Sequence, residues 1–411
     1  MSLLGVLLLV GLVFGLYMAW SIGANDVANA MGTSVGSRAL TVGQGMAVAG
    51  VFEFAGAVMV GAKVSDTVKK NVLDLNQFPD PVLFVVAMLS ALLAAAVWLQ
   101  VASWRGVPVS TTHSIIGGVA GAGVAAIGVG GLHWDKLAYI GVSWVLSPFI
   151  GAVVAFVLFR VVSRVIINSK RPRVNVRRYA PLLVGLVIEV LFLSLLYKGL
   201  KNLHLDWPLG QALAAATGLA VVGILVTMVV VRRVKIGSGT SKFKYVERCF
   251  RWLQVMTACY VAFAHGANDV GNAVGPLAGI YTVWSTGELT GQVGVPLWVL
   301  ALGGLGIVVG LATYGYKVME TVGTKITALV PSRGFAAEFA AATTVLICSK
   351  LGLPISTTHT LVGAVIGVGM ARGFAALEMR VVRSIVSAWL ITLPVSFILA
   401  AVICLVMQMV V

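Results

Sequence analysis

Charge is scarce in this sequence: only 10% of its 411 residues are Asp, Glu, Lys or Arg, whereas 59% are hydrophobic. A soluble domain carries about 25% charged residues, so a water-soluble chain is excluded. Apolar runs of membrane-spanning length recur from end to end. At roughly 20 residues per span with short connections, about ten to twelve spans fit. Cysteine is scarce too. Cys249, Cys259, Cys348 and Cys404 stand singly, without CxxC spacing, which argues against a disulfide framework or a zinc site. No GxxxxGK[ST] segment is present, which argues against ATP-driven pumping by this chain. The first apolar run, Leu3 to Trp20, lacks a basic leader and reads as a span rather than a cleaved signal. No cofactor is expected.

The charges that are present are unevenly placed. The net charge of +15 comes mainly from two clusters beside apolar runs: Arg160, Arg164, Lys170, Arg171, Arg173, Arg177 and Arg178, then Arg232, Arg233, Lys235, Lys242, Lys244, Arg248 and Arg251. Such clusters mark the cytoplasmic side of a membrane protein. Two spans, roughly 180–199 and 209–231 around Asp206-Trp207-Pro208, lie between them, so both clusters face one compartment. Of the fourteen acidic residues, only Asp26, Glu53, Glu189, Asp269 and Glu338 fall well inside apolar stretches. Asp66 and Glu320 read as polar span ends, and Glu189 as structural or interfacial.

Two motifs occur twice, in the same order. Gly23-Ala24-Asn25-Asp26-Val27-Ala28-Asn29-Ala30 returns as Gly266-Ala267-Asn268-Asp269-Val270-Gly271-Asn272-Ala273, and Pro108-Val109-Ser110-Thr111-Thr112-His113 as Pro354-Ile355-Ser356-Thr357-Thr358-His359. Gly23 to Gly266 is 243 residues and Pro108 to Pro354 is 246, so the internal spacing is nearly preserved. A weaker echo links Lys63–Val68 with Lys317–Val322. The chain therefore divides into a first repeat (1–165), a basic linker with two spans (166–250) and a second repeat (251–411). The first repeat has clear spans near 3–22, 41–62, 82–104 and 137–160. If the Gly-rich segment after Pro108 also crosses, the half has five spans, the repeats are inverted and the N-terminus faces outside. Inversion is favoured, because duplicated carriers place their site on such a pseudo-two-fold axis.

A carboxylate in an apolar region costs about 2.5–3.5 kcal/mol on insertion scales and persists where it faces a cavity, a partner or an ion. Asp26 and Asp269, with the amide oxygens of Asn25 and Asn268, offer the hard oxygen ligands that an alkali or alkaline-earth cation needs. Glu53 and Glu338 are further candidate cation ligands or gates. The proline and hydroxyl residues of the second motif suit a helix start. A helix beginning inside the membrane points free N–H groups and a positive dipole end at that start, which favours an anion. Ser110, Thr111, Thr112, Ser356, Thr357 and Thr358 would add donors to the anion, as would the amides of Asn25 and Asn268. His113 and His359 read as residues behind the hydroxyls, as do Asn29 and Asn272 behind the carboxylates. No Lys or Arg sits at a span centre, and Arg105 and Lys350 come nearest. Cations at the Asn-Asp pairs would then supply the positive charge that a buried dianion needs. An anion channel would need a continuous polar pore, and an enzyme an activated nucleophile or metal set. Neither pattern is apparent.

In these four motif copies the sequence resembles the inorganic phosphate transporter (PiT) family, and the resemblance spans essentially the whole chain. It implies an all-α integral membrane protein of twelve spans in two inverted repeats, with broken or re-entrant helices at a central phosphate site. It also implies a homodimer in a prokaryotic cell membrane that imports inorganic phosphate with Na⁺. Asp26, Asp269, Ser110 and Ser356 with their neighbours would hold phosphate and cation, with acidic positions matching Glu53 and Glu338. Short basic loops replace the long cytoplasmic insertion of animal members. Some relatives with similar motifs use H⁺, take a neutral metal phosphate complex, or carry sulfate. Sulfate shares the tetrahedral shape but has no proton near neutral pH. Asp26 or Asp269 as acceptor for the phosphate proton would discriminate the two.

Overall fold

The computed structural model describes residues 2–61, 72–198, 207–233, 241–289, 295–350 and 355–411. The Lys63–Val68 echo with Asp66, together with Asp206, Lys235 and Pro354, lies outside the described residues, as does the side chain of Lys350. Among those described the chain is helical, with one isolated bridge between Leu73 and Leu132. Helix α1 spans Leu3–Gly36 and contains a π turn at Ala28–Gly32. There follow α2 (Val42–Val60), α3 (Pro81–Trp104), α4 (Thr111–Ile127) and α5 (Trp134–Val162). The linker supplies α6 (Pro172–Lys198) and α7 (Leu209–Arg233). The second half has α8 (Lys242–Thr286), α9 (Leu297–Tyr314), the short α10 (Tyr316–Glu320), α11 (Pro331–Lys350), α12 (Thr357–Arg372) and α13 (Met379–Gln408). A second π turn, Thr321–Lys325, follows α10.

The chain starts these helices with its own side chains. Thr41 and Gln44 form a reciprocal capping box on α2. Asp80 accepts from the Val82 N–H at 3.0 Å, with Pro81 opening α3. Among the described residues, seven helices are long and apolar enough to cross a membrane, and α4 is a shorter apolar helix. Their outer faces fit that solvent: Val142, Val145, Phe149 and Val153 on α5, and Leu390, Ile391, Ile398 and Val402 on α13, are exposed. An apolar surface on this scale is stable against lipid, not water. This is a multi-pass membrane protein.

Packing exchanges helices between the halves. Helix α4 lies on α13 and α12 on α5; α1 lies on α9 and α8 on α2. Each contact has a mate in which the two halves trade places. Small residues allow the approach: a methyl group on Gly121 would stand 2.0 Å from the Phe397 carbonyl oxygen, and one on its mate Gly367 2.1 Å from that of Ala152. Helices α1 and α8 meet with Gly11 facing Ile280 and Gly15 facing Leu277, so the equivalent helices of the two halves run antiparallel. Helices α3 and α4 form a hairpin, with Gly118 against Ala91 and the Leu73–Leu132 bridge near its open end.

Candidate substrate and cation site

Both Asn-Asp pairs sit inside continuous helix, Asp26 just ahead of the π turn of α1 and Asp269 in the middle of α8. Neither pair caps a helix. Because α1 and α8 cross antiparallel, the two motifs meet. Asp26, His265 and Asp269 are buried, and each offers a ligand atom within 4.8 Å of the others. His265 Nε2 lies 2.8 Å from Asp269 Oδ2 and 3.7 Å from Asp26 Oδ2, while Nδ1 lies 3.3 Å from Glu53 Oε1. One imidazole, with at most one positive charge, therefore faces three carboxylates in an interior that water does not reach. Beyond these His265 contacts, Asp26 Oδ2 and both Glu53 oxygens have no hydrogen-bond donor among the described residues. Carboxylate oxygens with free lone pairs fit a hard cation, which would offset the remaining negative charge.

The hydroxyl-bearing helix starts reach this cluster crosswise. Ser110 caps α4 by accepting from the His113 N–H, and Ser356 caps α12 by accepting from the His359 N–H, each at 3.2 Å. Asn29 of the first half donates to Thr358 of the second at 2.8 Å. Asn272 of the second half donates to Thr111 and Thr112 of the first at 3.2 and 3.3 Å. Thr358 donates to Asp26 Oδ1 at 3.0 Å, and Thr357 to Asp269 Oδ2 at 3.1 Å. Thr112, Thr357 and Asn268 are only half-buried, so these three polar side chains border accessible space. Asn268 donates to Asp269 Oδ1 at 2.7 Å. Two helix starts with positive dipole ends thus converge on a pair of carboxylates, an arrangement able to hold an anion and a cation side by side.

Several expected residues lie elsewhere. Asn25, expected among both the phosphate and the cation ligands, is fully engaged with the α3–α4 hairpin tip. Its amide donates to Ser103 Oγ at 2.9 Å and the Val107 carbonyl at 3.2 Å, and its oxygen accepts from the Val109 N–H at 3.0 Å. The α3–α4 connection otherwise leaves these backbone groups without partners, which is why the amide turns that way. Glu338 does not join the Asp26–Asp269 cluster. It occupies its own buried pocket, accepting from Thr33 at 2.5 Å, Ser34 at 2.7 Å, Gln254 at 3.1 Å and also Thr257. The His113 and His359 rings meet edge to face, 4.3 Å apart, with His113 against Trp144 and His359 stacked on Trp389.

His265 escaped the sequence reading. It directly precedes Gly266 of the motif, whereas the first copy has Ile22 there. Glu53 is likewise one-sided: Gly266 packs on its backbone as Gly23 packs on that of Ile307. The repeat spacing pairs Glu338 with Leu92. The motif hydroxyls, amides and aspartates are duplicated, and the additional ionisable groups are not.

Comparison with known proteins fits this arrangement. The model of the phosphate transporter family matches residues 22–400. The chain belongs to the phosphate transporter family. A protein of Pyrococcus abyssi whose name marks it as a candidate phosphate permease is 46% identical over 398 residues, covering 96% of each chain. A chloroplastic inorganic phosphate transporter of Arabidopsis thaliana is 44% identical over 422 residues, covering 95% of this chain and 70% of that one. A solved structure entitled as the sodium-dependent phosphate transporter superposes with a TM-score of 0.91 at 42% identity, over 99% of this chain and 100% of the other. Membership of this family makes the protein a transporter and not an enzyme.

Proposed function

We propose that this protein imports inorganic phosphate across a prokaryotic cell membrane in symport with Na⁺, by alternating access. The observation that carries the reading is the crossed arrangement of Asn29 with Thr358 and of Asn272 with Thr111 and Thr112, which joins two helix starts to two aspartates. In this reading Ser110, Thr111, Thr112, Ser356, Thr357 and Thr358 surround phosphate, together with the half-buried Asn268. Asp26 and Asp269, with Glu53 beside His265, take the cation, which offsets the dianion and is offset by it. Asn25 acts from behind by holding the hairpin tip. Glu338 lies apart and serves as a separate gate or cation ligand. The antiparallel crossing of α1 and α8 supports inverted repeats about the linker 166–250, with the site at their axis. The outer apolar faces leave room for lipid and for a second copy in a homodimer.

Proton coupling is the second reading, favoured by His265 among three carboxylates. Purified protein in liposomes distinguishes the substrates: radiolabelled phosphate should accumulate, and excess unlabelled phosphate, but not sulfate, should compete. Sulfate accumulation without phosphate accumulation would overturn the assignment.

A further inference from the structure

Helix α1 changes its winding between two buried carboxylates. Asp26 precedes the π turn Ala28–Gly32, and Thr33 and Ser34 follow it. Within the turn, Asn29 Nδ2 donates to Asp26 Oδ1 and to Thr358 Oγ1, each at 2.8 Å. Thr33 and Ser34 donate to Glu338 Oε1 at 2.5 and 2.7 Å. The other half has nothing equivalent. Helix α8 is continuously α-helical there, its residues matching Thr33 and Ser34 are Pro276 and Leu277, and Glu338 is matched by Leu92. Asn272, in the unperturbed helix, stands 3.5 Å from Asp269 Oδ1 rather than 2.8 Å.

A π turn accommodates one more residue than an α turn, through its i→i+5 bonds. Since each helical residue turns the chain by about 100°, unwinding the extra residue would rotate Asn29 by a similar angle relative to Thr33 and Ser34. In the π-wound form Asn29 spans Asp26 and Thr358 while Thr33 and Ser34 hold Glu338. The bed beneath it is bare backbone from the second π turn. A methyl group on Gly323 would stand 2.2 Å from the Gly32 carbonyl oxygen, and one on Gly36 2.0 Å from the Gly323 carbonyl oxygen.

We propose that Thr33 and Ser34 are positioning residues for phosphate. By gripping Glu338 they keep the π turn wound, and the wound turn keeps Asn29 across Asp26 and Thr358. The idea rests on the reading of that site as the phosphate site. Coupling between sites is reciprocal, so phosphate binding also tightens the turn and the grip on Glu338.

The test is equilibrium binding of radiolabelled phosphate, in saturating Na⁺, to the purified full-length protein. Five forms are compared: wild type, Thr33→Val with Ser34→Ala, Asn29→Ala, all three substitutions together, and a hydroxyl-keeping exchange. The paired hydroxyl loss should weaken binding about 10-fold in the wild-type background, within the usual range of site-to-site coupling. It should add less than about 2-fold when Asn29 is already Ala, as expected of residues acting through one element. The hydroxyl-keeping exchange Thr33→Ser with Ser34→Thr should restore wild-type affinity. Unchanged affinity without the hydroxyls would overturn the proposal, as would the same full loss in both backgrounds. Hydrogen exchange on the wild type checks the same claim if a variant misfolds: phosphate should raise protection over residues 28–36, and unaltered protection there contradicts it. Wild-type protein that binds no phosphate at all would instead defeat the functional reading on which the proposal rests.

Discussion

His265 gathers three carboxylates around one ring, and its removal tests how far they depend on it. Taking one partner from a buried charged group costs about 3–5 kcal/mol, so His265→Ala should lower phosphate uptake at least about tenfold with the protein still in the membrane. Uptake within a factor of two of wild type, at equal abundance, would contradict the role of the cluster. Asp269→Asn keeps the shape but removes a charge that faces both His265 and Thr357. Its phosphate uptake should no longer respond to Na⁺, as measured by initial rates across a Na⁺ titration. Asp26 and Asp269 were legible in the sequence because a charge in an apolar run is costly and a duplicated one doubly so. His265 was not, because only one motif copy carries it. Asn25 was misplaced for a related reason: spacing says that an amide lies near the site, but not whether it turns toward carboxylates or toward the Ser103–Val109 backbone.

At the scale of elements, the helices follow from hydropathy and caps. The expected spans near 3–22, 41–62, 82–104 and 137–160 correspond to α1, α2, α3 and α5, and the Gly-rich segment after Pro108 is α4. What the periodicity could not convey is winding. The π turn of α1 has no composition of its own and arises where Asn29, Thr33 and Ser34 each find partners on other helices. Helix α8 runs for 45 residues, beginning in a basic stretch before turning apolar. Glycine contacts give a direct test of the packing. Gly121→Ala would place a methyl group 2.0 Å from the Phe397 carbonyl oxygen, whereas Gly141→Ala meets nothing within 4 Å. Overpacking of this kind costs about 1–3 kcal/mol. The thermal midpoint in detergent should fall for Gly121→Ala and stay at the wild-type value for Gly141→Ala. Equal midpoints would contradict the α4–α13 contact.

For the molecule as a whole, two halves trade helices around a shared site, and beside that site they differ in the ionisable residues His265, Glu53 and Glu338 and in the winding of α1. Antiparallel α1 and α8 put the N-terminal end of α1 and the basic end of α8 on opposite sides. In a background freed of native cysteines, Ser2→Cys should react with a membrane-impermeant maleimide in intact cells. Ser169→Cys, in the basic segment, should react only after permeabilisation. Labelling of both in intact cells would refute that topology.

The central claim is that cation and phosphate stabilise one another in a single buried cluster. Radiolabelled phosphate uptake into proteoliposomes, under an imposed Na⁺ gradient and then an equal proton gradient, tests it most directly. The account predicts accumulation above equilibrium with the Na⁺ gradient and none with the proton gradient alone. Full uptake in the absence of Na⁺ would contradict it.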